Sequence, residues 1–245
     1  MYSQQSMSVR SRPACVIFLC SLLLLLSACA GGAGEQSAST RLHVQQDPKA
    51  RLTYVAIGAS DTYGVGTEDP QSESWPSDLT QSLGKNVRLI NLGIPGVHAD
   101  EALNIELPVA IDAHPDVITV WLAVNDLADN VPLNTYSRNL DLLLTRLQAG
   151  APHARIAVAN VPDIALLPHF RSSNQQDLRE RISAYNLIIS NIVAHHHVIL
   201  IDLYQSWPEL SSHPEYISSD GFHPNAIGYT RVAEIFYQVL HRNGL

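Results

Sequence analysis

The stretch YVAIGASDTYGVG, residues 54–66, decides how the chain is read. Tyr54 to Ile57 form an apolar run of strand character. The run stops at Gly58-Ala59-Ser60-Asp61, and two more glycines follow at 64 and 66. A buried strand that ends on a serine among small residues leaves that serine's surroundings open. The question is what the rest of the chain brings to it.

Working outward, strand and helix patterns alternate. LTYVAIG (52–58), VRLINLG (87–93), DVITVWLAV (116–124), ARIAVANV (154–161) and VILIDLY (198–204) read as five strands. The third is almost wholly apolar, which predicts burial on both faces. Helices are expected over about 76–83, 99–113, 135–150, 175–195 and 225–242. Pro108 is expected to kink or break the second of these, and Gly150 to end the third. Residues 162–174 read as a long loop. Strands alternating with helices imply a parallel sheet covered on both sides, a three-layer α/β/α sandwich with a five-stranded parallel sheet. No internal repeat and no second domain is visible.

The rest of the composition bounds the possibilities. The 245 residues carry 15 basic and 23 acidic side chains, a net charge of −8. An acidic chain with only Lys49 and Lys85 as lysines argues against a nucleic acid partner and against a polybasic membrane patch. The N-terminus reads as a targeting segment. Arg10 and Arg12 precede an apolar run from Val16 to Leu26, which is short for a membrane span. The run closes in Leu26-Ser27-Ala28-Cys29, similar to a bacterial lipobox, in which cleavage before the cysteine frees a thiol for lipid attachment. An ordinary signal peptide with a chance cysteine is the alternative. The expected division is residues 1–28 as lipoprotein signal peptide, 29–50 as flexible tether, and 51–245 as the folded domain. AGGAGEQSAST (30–40) is too small and polar to order itself, and about 20 such residues span roughly 25 Å. Cys15 and Cys20 would leave with the signal, so Cys29 is the one cysteine of the expected mature chain and no disulfide within it is expected. The expected location is the extracytoplasmic side of a membrane, held by acyl chains on Cys29.

Ligands of open parallel sheets sit at the carboxyl ends of the strands. Strand one delivers Ser60, strand two delivers Asn91-Leu92-Gly93-Ile94-Pro95-Gly96, and strand three delivers Asn125-Asp126. Asp220-Gly221-Phe222-His223 stands just before the last helix. A serine becomes a nucleophile when a base takes its proton and a third group orients the base. His223 can be that base, and Asp220 can reach its Nδ1 across one tight turn. The N–H groups near Ser60, the Gly96 N–H and the Asn125 amide can surround an oxyanion.

These four blocks, in this order, resemble the SGNH hydrolases, also called GDSL esterases and lipases. The resemblance covers residues 52–242 and implies a flavodoxin-like fold. GASDTYG matches the nucleophile block, which assigns Ser60. NLGIPG assigns Gly96 and AVND assigns Asn125 to the oxyanion hole, and DGFH assigns Asp220 and His223 to the triad. Ala59 stands where the family usually has Asp, and Ala123 where it usually has Gly, which puts substrate preference in doubt more than chemistry. The Gly-x-Ser-x-Gly elbow of α/β-hydrolases is missing.

The implied activity is hydrolysis of carboxylic esters through an acyl-enzyme on Ser60, with no metal or cofactor. A carbohydrate O-acetylesterase and a non-catalytic binding lipoprotein of the same fold are the alternatives. Activity is expected to fall as pH drops through about 6 to 7, because the base must be neutral.

Other residues have plainer readings. Asp61 and Asp126 are expected to be caps or loop hydrogen-bonders. His195-His196-His197 looks like a metal tract but ends a helix, where histidines suit the dipole, and no carboxylate pattern accompanies it. Trp75 is expected to pack above the first helix. PDIALLPHF (162–170) can line an acyl pocket through Ile164, Leu166, Leu167 and Phe170, or simply pack on the long helix. Oligomeric state has no signal in the sequence.

Overall fold

Residues 51–245, apart from 208, 210 and 211, are described by a computed structural model. The expected signal peptide, Cys29 and the tether lie outside the described residues. Five strands, β1 (Leu52–Gly58), β2 (Val87–Asn91), β3 (Val117–Trp121), β4 (Arg155–Ala159) and β5 (Ile199–Ile201), form one sheet in the order β2-β1-β3-β4-β5. All four pairings are parallel. The central strand β3 is buried at every position, as its unbroken apolar run requires.

The larger helices are α3 (Trp75–Leu83), α4 (Ala99–Asp112), α6 (Leu133–Gly150), α7 (Gln175–His195) and α9 (Ala226–Arg242). Helix α6 packs between α4 and α7 in one layer, and α3 packs on α9 in the other. Trp75 is fully buried; its ring stacks on Phe236 at 4.1 Å and meets Trp121 edge-on at 6.1 Å. It is the packing residue the sequence suggests. Four short helices sit at loops: α1 (Ser60–Tyr63), α2 (Pro70–Glu73), α5 (Val124–Ala128) and α8 (Leu203–Ser206). Among the described residues no helix is long and apolar enough to cross a membrane.

Several expectations need correction. Helix α4 runs through Pro108 without interruption. Four strands end earlier than their apolar runs. Asn91 closes β2 because its Oδ1 accepts the Gly93 N–H at 3.0 Å and its Nδ2 donates to the Thr62 carbonyl at 2.7 Å. After β3 the chain turns at Ala123, whose φ is +115°, and enters α5, which carries Asn125 just beyond the strand end. Asn160 leaves β4 to bind across to the next strand's exit, donating to Asp202 Oδ1 at 2.8 Å and accepting the Tyr204 N–H at 3.1 Å. Asp202 in turn caps α8 by accepting the Gln205 N–H. Short polar side chains that bond the local backbone turn the chain out of the sheet.

Candidate active site

Ser60 is the first residue of α1, directly beyond β1, and is 8% exposed. The first N–H groups of a helix have no intrahelical acceptor, so this junction leaves the Ser60 N–H available. The strand end is crowded from behind. A Cβ on Gly58 would lie 2.1 Å from Thr62 Oγ1 and 2.7 Å from the Trp121 carbonyl.

His223 and Asp220 arrive on a tight turn from Ser218 to His223. It is closed by Ser218 N–H to the His223 carbonyl, 2.8 Å, and by Gly221 N–H to the Ser218 carbonyl, 3.0 Å. Gly221 has a φ of +73°, which a glycine adopts without steric cost. Asp220 Oδ1 accepts the Ser218 hydroxyl and the N–H groups of Phe222 and His223, at 2.8 to 2.9 Å. Its Oδ2 lies 2.6 Å from His223 Nδ1, and His223 Nε2 lies 2.9 Å from Ser60 Oγ. An ionised carboxylate only accepts, so Nδ1 carries the imidazole proton and Nε2 faces the serine hydroxyl as an acceptor. Burial pushes the Asp220 carboxyl up, but the His223, Phe222 and Ser218 hydrogen bonds outweigh it and hold it well below the usual carboxylate range. The turn is locked to the Ser60 loop. Tyr229 Oη donates to the Val65 carbonyl at 2.7 Å, and a Cβ on Gly66 would come within 2.4 Å of the Pro224 carbonyl.

Gly96 and Asn125 come from the exits of β2 and β3, the two strands that flank β1. The β2 exit is tied to β1 by Ile94 N–H to the Gly58 carbonyl, 3.0 Å. Gly96 turns with a φ of +83°. Asn125 Nδ2 donates one hydrogen to the Val97 carbonyl at 2.9 Å, which orients the amide beside Gly96 and leaves its second hydrogen for a ligand. An amide pair of this kind with the Ser60 N–H can stabilise negative charge on a substrate oxygen.

Asp126 is fully buried, and its Oδ2 accepts the Ala99 N–H at the start of α4, 3.2 Å. It is a cap, as expected, though for a helix distant in sequence; burial raises its carboxyl to about 6. Asp61 is a local hydrogen-bonder, as expected, its carboxylate accepting its own backbone N–H in the first turn of α1, but it also lies at a cavity. This cavity is narrow, with about 20 Å³ of room for water-sized groups, and Asp61 lines it together with Trp121, Ile164, Leu167, Trp207 and Phe222. Burial raises Asp61 to about 6, with His223 opposing that shift and Asp220 adding to it. Of the loop after β4, Ile164 and Leu167 line this cavity, and the Phe170 ring meets Phe222 edge-on at 5.7 Å.

Sequence reasoning missed Glu106. It sits on the buried face of α4 with Ala102, Leu103, Leu107 and Ala110, and its Oε2 accepts the Gly58 N–H at 2.8 Å. The helical period of that stripe contains position 106 and was the available signal. Contrary to expectation, a carboxylate does accompany the histidine tract. Ligand-type atoms of Asp141, His195 and His196 lie within 4.8 Å of one another. Both His196 ring nitrogens are already engaged, Nδ1 with Gln148 Oε1 at 2.8 Å and Nε2 with Asp141 Oδ1 at 2.9 Å, so the cluster ties α6 to the end of α7.

Comparison with known proteins agrees with this geometry. The sequence pattern of the GDSL-like lipase/acylhydrolase family matches residues 56–231. An arylesterase of Vibrio mimicus is 25% identical over 184 residues, covering 74% of this chain and 84% of the relative. In fold, the chain is similar to the lipase/acylhydrolase from Enterococcus faecalis, with a TM-score of 0.64 and 20% identity over 78% of this chain and 96% of the other. It is also similar to a Clostridium thermocellum family 3 carbohydrate esterase, with a TM-score of 0.62 and 22% identity over the same shares, 78% and 96%. The family pattern runs from inside β1 into α9 and so takes in the whole constellation around Ser60: this chain belongs to the GDSL-like lipase/acylhydrolase family and is a GDSL-type hydrolase acting on esters.

Proposed function

We propose that the chain is a serine esterase in which Ser60, His223 and Asp220 are the catalytic triad and the Ser60 N–H, the Gly96 N–H and the Asn125 side-chain amide are the oxyanion hole. The observation that carries the reading is the unbroken hydrogen-bonded relay from Ser60 Oγ through His223 to Asp220, at 2.9 and 2.6 Å. His223 Nε2 takes the Ser60 proton as Oγ attacks the ester carbonyl. The oxyanion is held by the three donors, each worth about 3 kcal/mol in the transition state. His223 then gives its proton to the leaving alcohol. Water, deprotonated by the same nitrogen, cleaves the acyl-enzyme and releases the acid. Asp220 keeps the proton on Nδ1 and stabilises the imidazolium as it forms.

The substrates in this reading are carboxylic esters of short or medium acyl chains. The apolar wall of Ile164, Leu167 and Phe222 in the cavity beside Asp61 supports an acyl group over a glycan. The test is labelling by a fluorophosphonate probe, followed by hydrolysis of nitrophenyl esters of rising chain length beside acetylated xylan. The Vibrio mimicus arylesterase makes aryl esters the natural assay. Labelling of the wild type and none of Ser60→Ala is the expected result. Equal labelling of both, or acetate release from xylan that outruns every aryl ester, overturns the reading.

The same proposal includes export and anchoring. The support is the order of Arg10, Arg12, the apolar run 16–26 and Leu26-Ser27-Ala28-Cys29, followed by a small polar segment. In this reading, cleavage after Ala28 leaves a diacylated Cys29 that holds the domain to the outer face of a membrane. Incorporation of labelled palmitate, lost in Cys29→Ser, is the expected outcome; label retained by Cys29→Ser sinks the anchor.

A further inference from the structure

The cavity beside the Ser60–His223 pair holds polar groups that ester cleavage does not use. Four of its ten wall residues are immediate sequence neighbours of the site residues: Asp61 follows Ser60, Val124 precedes Asn125, and Phe222 and Pro224 bracket His223. Three walls are not apolar throughout. The indole nitrogens of Trp121 and Trp207 are buried and have no hydrogen-bond partner among the described residues, although both side chains are over nine-tenths buried. The Asp61 carboxylate accepts its own backbone N–H and has no side-chain hydrogen-bond partner among the described residues. Buried donors left without a partner are costly unless something fills the cavity beside them.

We infer that this cavity binds a hydroxyl group carried on the acyl chain of the substrate, Asp61 accepting its hydrogen and a Trp121 or Trp207 indole N–H donating to its oxygen. The inference rests on the triad reading above and names the substrate class of that same site, hydroxyacyl esters. Chemistry selects the hydroxyl. A carboxylate would meet Asp61 with like charge. An ammonium would leave the indole donors unused. A hydroxyl donates once, accepts twice and brings no net charge into walls built from Ile164, Leu167 and Phe222. The room for water-sized groups, about 20 Å³, is that of roughly one such group and suits the hydroxyl end of a chain.

The experiment compares two ester pairs on the purified full-length chain, followed by acid release: ethyl butyrate with ethyl β-hydroxybutyrate, and ethyl hexanoate with ethyl ε-hydroxyhexanoate. The readout is the ratio of kcat/KM within a pair, so a general loss of activity cancels. The wild type is expected to favour the hydroxylated member of one pair by about tenfold or more, the worth of one charge-assisted hydrogen bond. The ratio falls to about one in Asp61→Leu and to an intermediate value in the isosteric Asp61→Asn. Trp207→Phe and Trp121→Phe, which keep a ring and remove the N–H, report which indole takes part. A wild-type ratio near one on both pairs, with the plain esters cleaved, overturns the inference and leaves the esterase reading standing; a bridging water then fills the space. A preference that survives both Asp61 variants overturns it equally. No cleavage of any ester, together with no fluorophosphonate labelling of Ser60, overturns both readings at once.

Discussion

Replacing Glu106 by glutamine will make the protein's stability less dependent on pH, and the size of the effect follows from the burial of one carboxyl. Glu106 is 1% exposed. Its Oε2 accepts the Gly58 N–H, and its Oε1 has no partner among the described residues. Burial raises its pKa from 4.5 to about 8, with the Gly58 hydrogen bond opposing. The folded state therefore holds this proton more tightly than the unfolded chain does. The group's contribution is complete below about 4.5 and is lost as pH rises towards 8. Within that window each pH unit costs about 1.4 kcal/mol, so a rise from about pH 5 to 7 removes on the order of 3 kcal/mol. For a chain of this size that is on the order of 10 °C in Tm. Glutamine has the same shape, keeps an acceptor for Gly58 and has no proton to lose. Asp61 and Asp126, both raised to about 6 by burial, titrate in the same range, but they do so in both proteins and drop out of the difference. Thermal melts of wild type and Glu106→Gln at half-unit steps will show a gap that widens in favour of the variant as pH rises. A gap that stays constant across that range refutes the claim that Glu106 enters the fold protonated.

Three further substitutions probe how the site is held. Ala123→Gly relieves a φ of +115° that a Cβ disfavours; the expected gain is about 1 kcal/mol in urea unfolding, and a loss of stability would show that the alanine methyl packs better than the strain costs. Asp220→Asn removes the acceptor that fixes the His223 tautomer; kcat is expected to fall by about 10⁴-fold with KM little changed, and a fall under tenfold would remove Asp220 from the triad. Gly66→Ala drives a Cβ to within 2.4 Å of the Pro224 carbonyl at a φ of +102°, so it is expected to cost about 2 kcal/mol and to lower activity further at temperatures where the protein stays folded. Unchanged kinetics in a folded Gly66→Ala would mean that the Ser60 loop does not depend on this contact with the His223 turn.

What was legible in the sequence is what local rules govern. The apolar run into Gly58-Ala59-Ser60 marked the end of β1, and the spacing of Asp220 to His223 marked a turn that one carboxylate closes on itself. Helix α7 matches the expected range 175–195, with Asn174 capping it through bonds to the Gln176 and Asp177 N–H groups. What was hidden depends on partners far along the chain. Apolar runs overstate β2, β4 and β5 because Asn91, Asn160 and Asp202 bend the backbone by bonds that spacing does not reveal. The stripe of α4 contains Glu106, but its partner, the Gly58 N–H, is distant in sequence, and the Asp141 carboxylate joins the histidine tract only when α6 lies beside α7. Asp61 is the sharpest case. In sequence it is one more polar residue after the serine, where a cap or a loop bond is the economical reading; in space it also lines a cavity with Trp121 of β3 and Trp207 of the segment after α8. Three of these departures lie at the site: Asp61 next to Ser60 in sequence, Glu106 on the N–H of Gly58, and Ala123 at the entry to the helix that carries Asn125. A fold tolerates a carboxyl pushed up by burial, a protonated glutamate and a left-handed alanine together where geometry around a reacting atom matters more than the stability each of them forfeits.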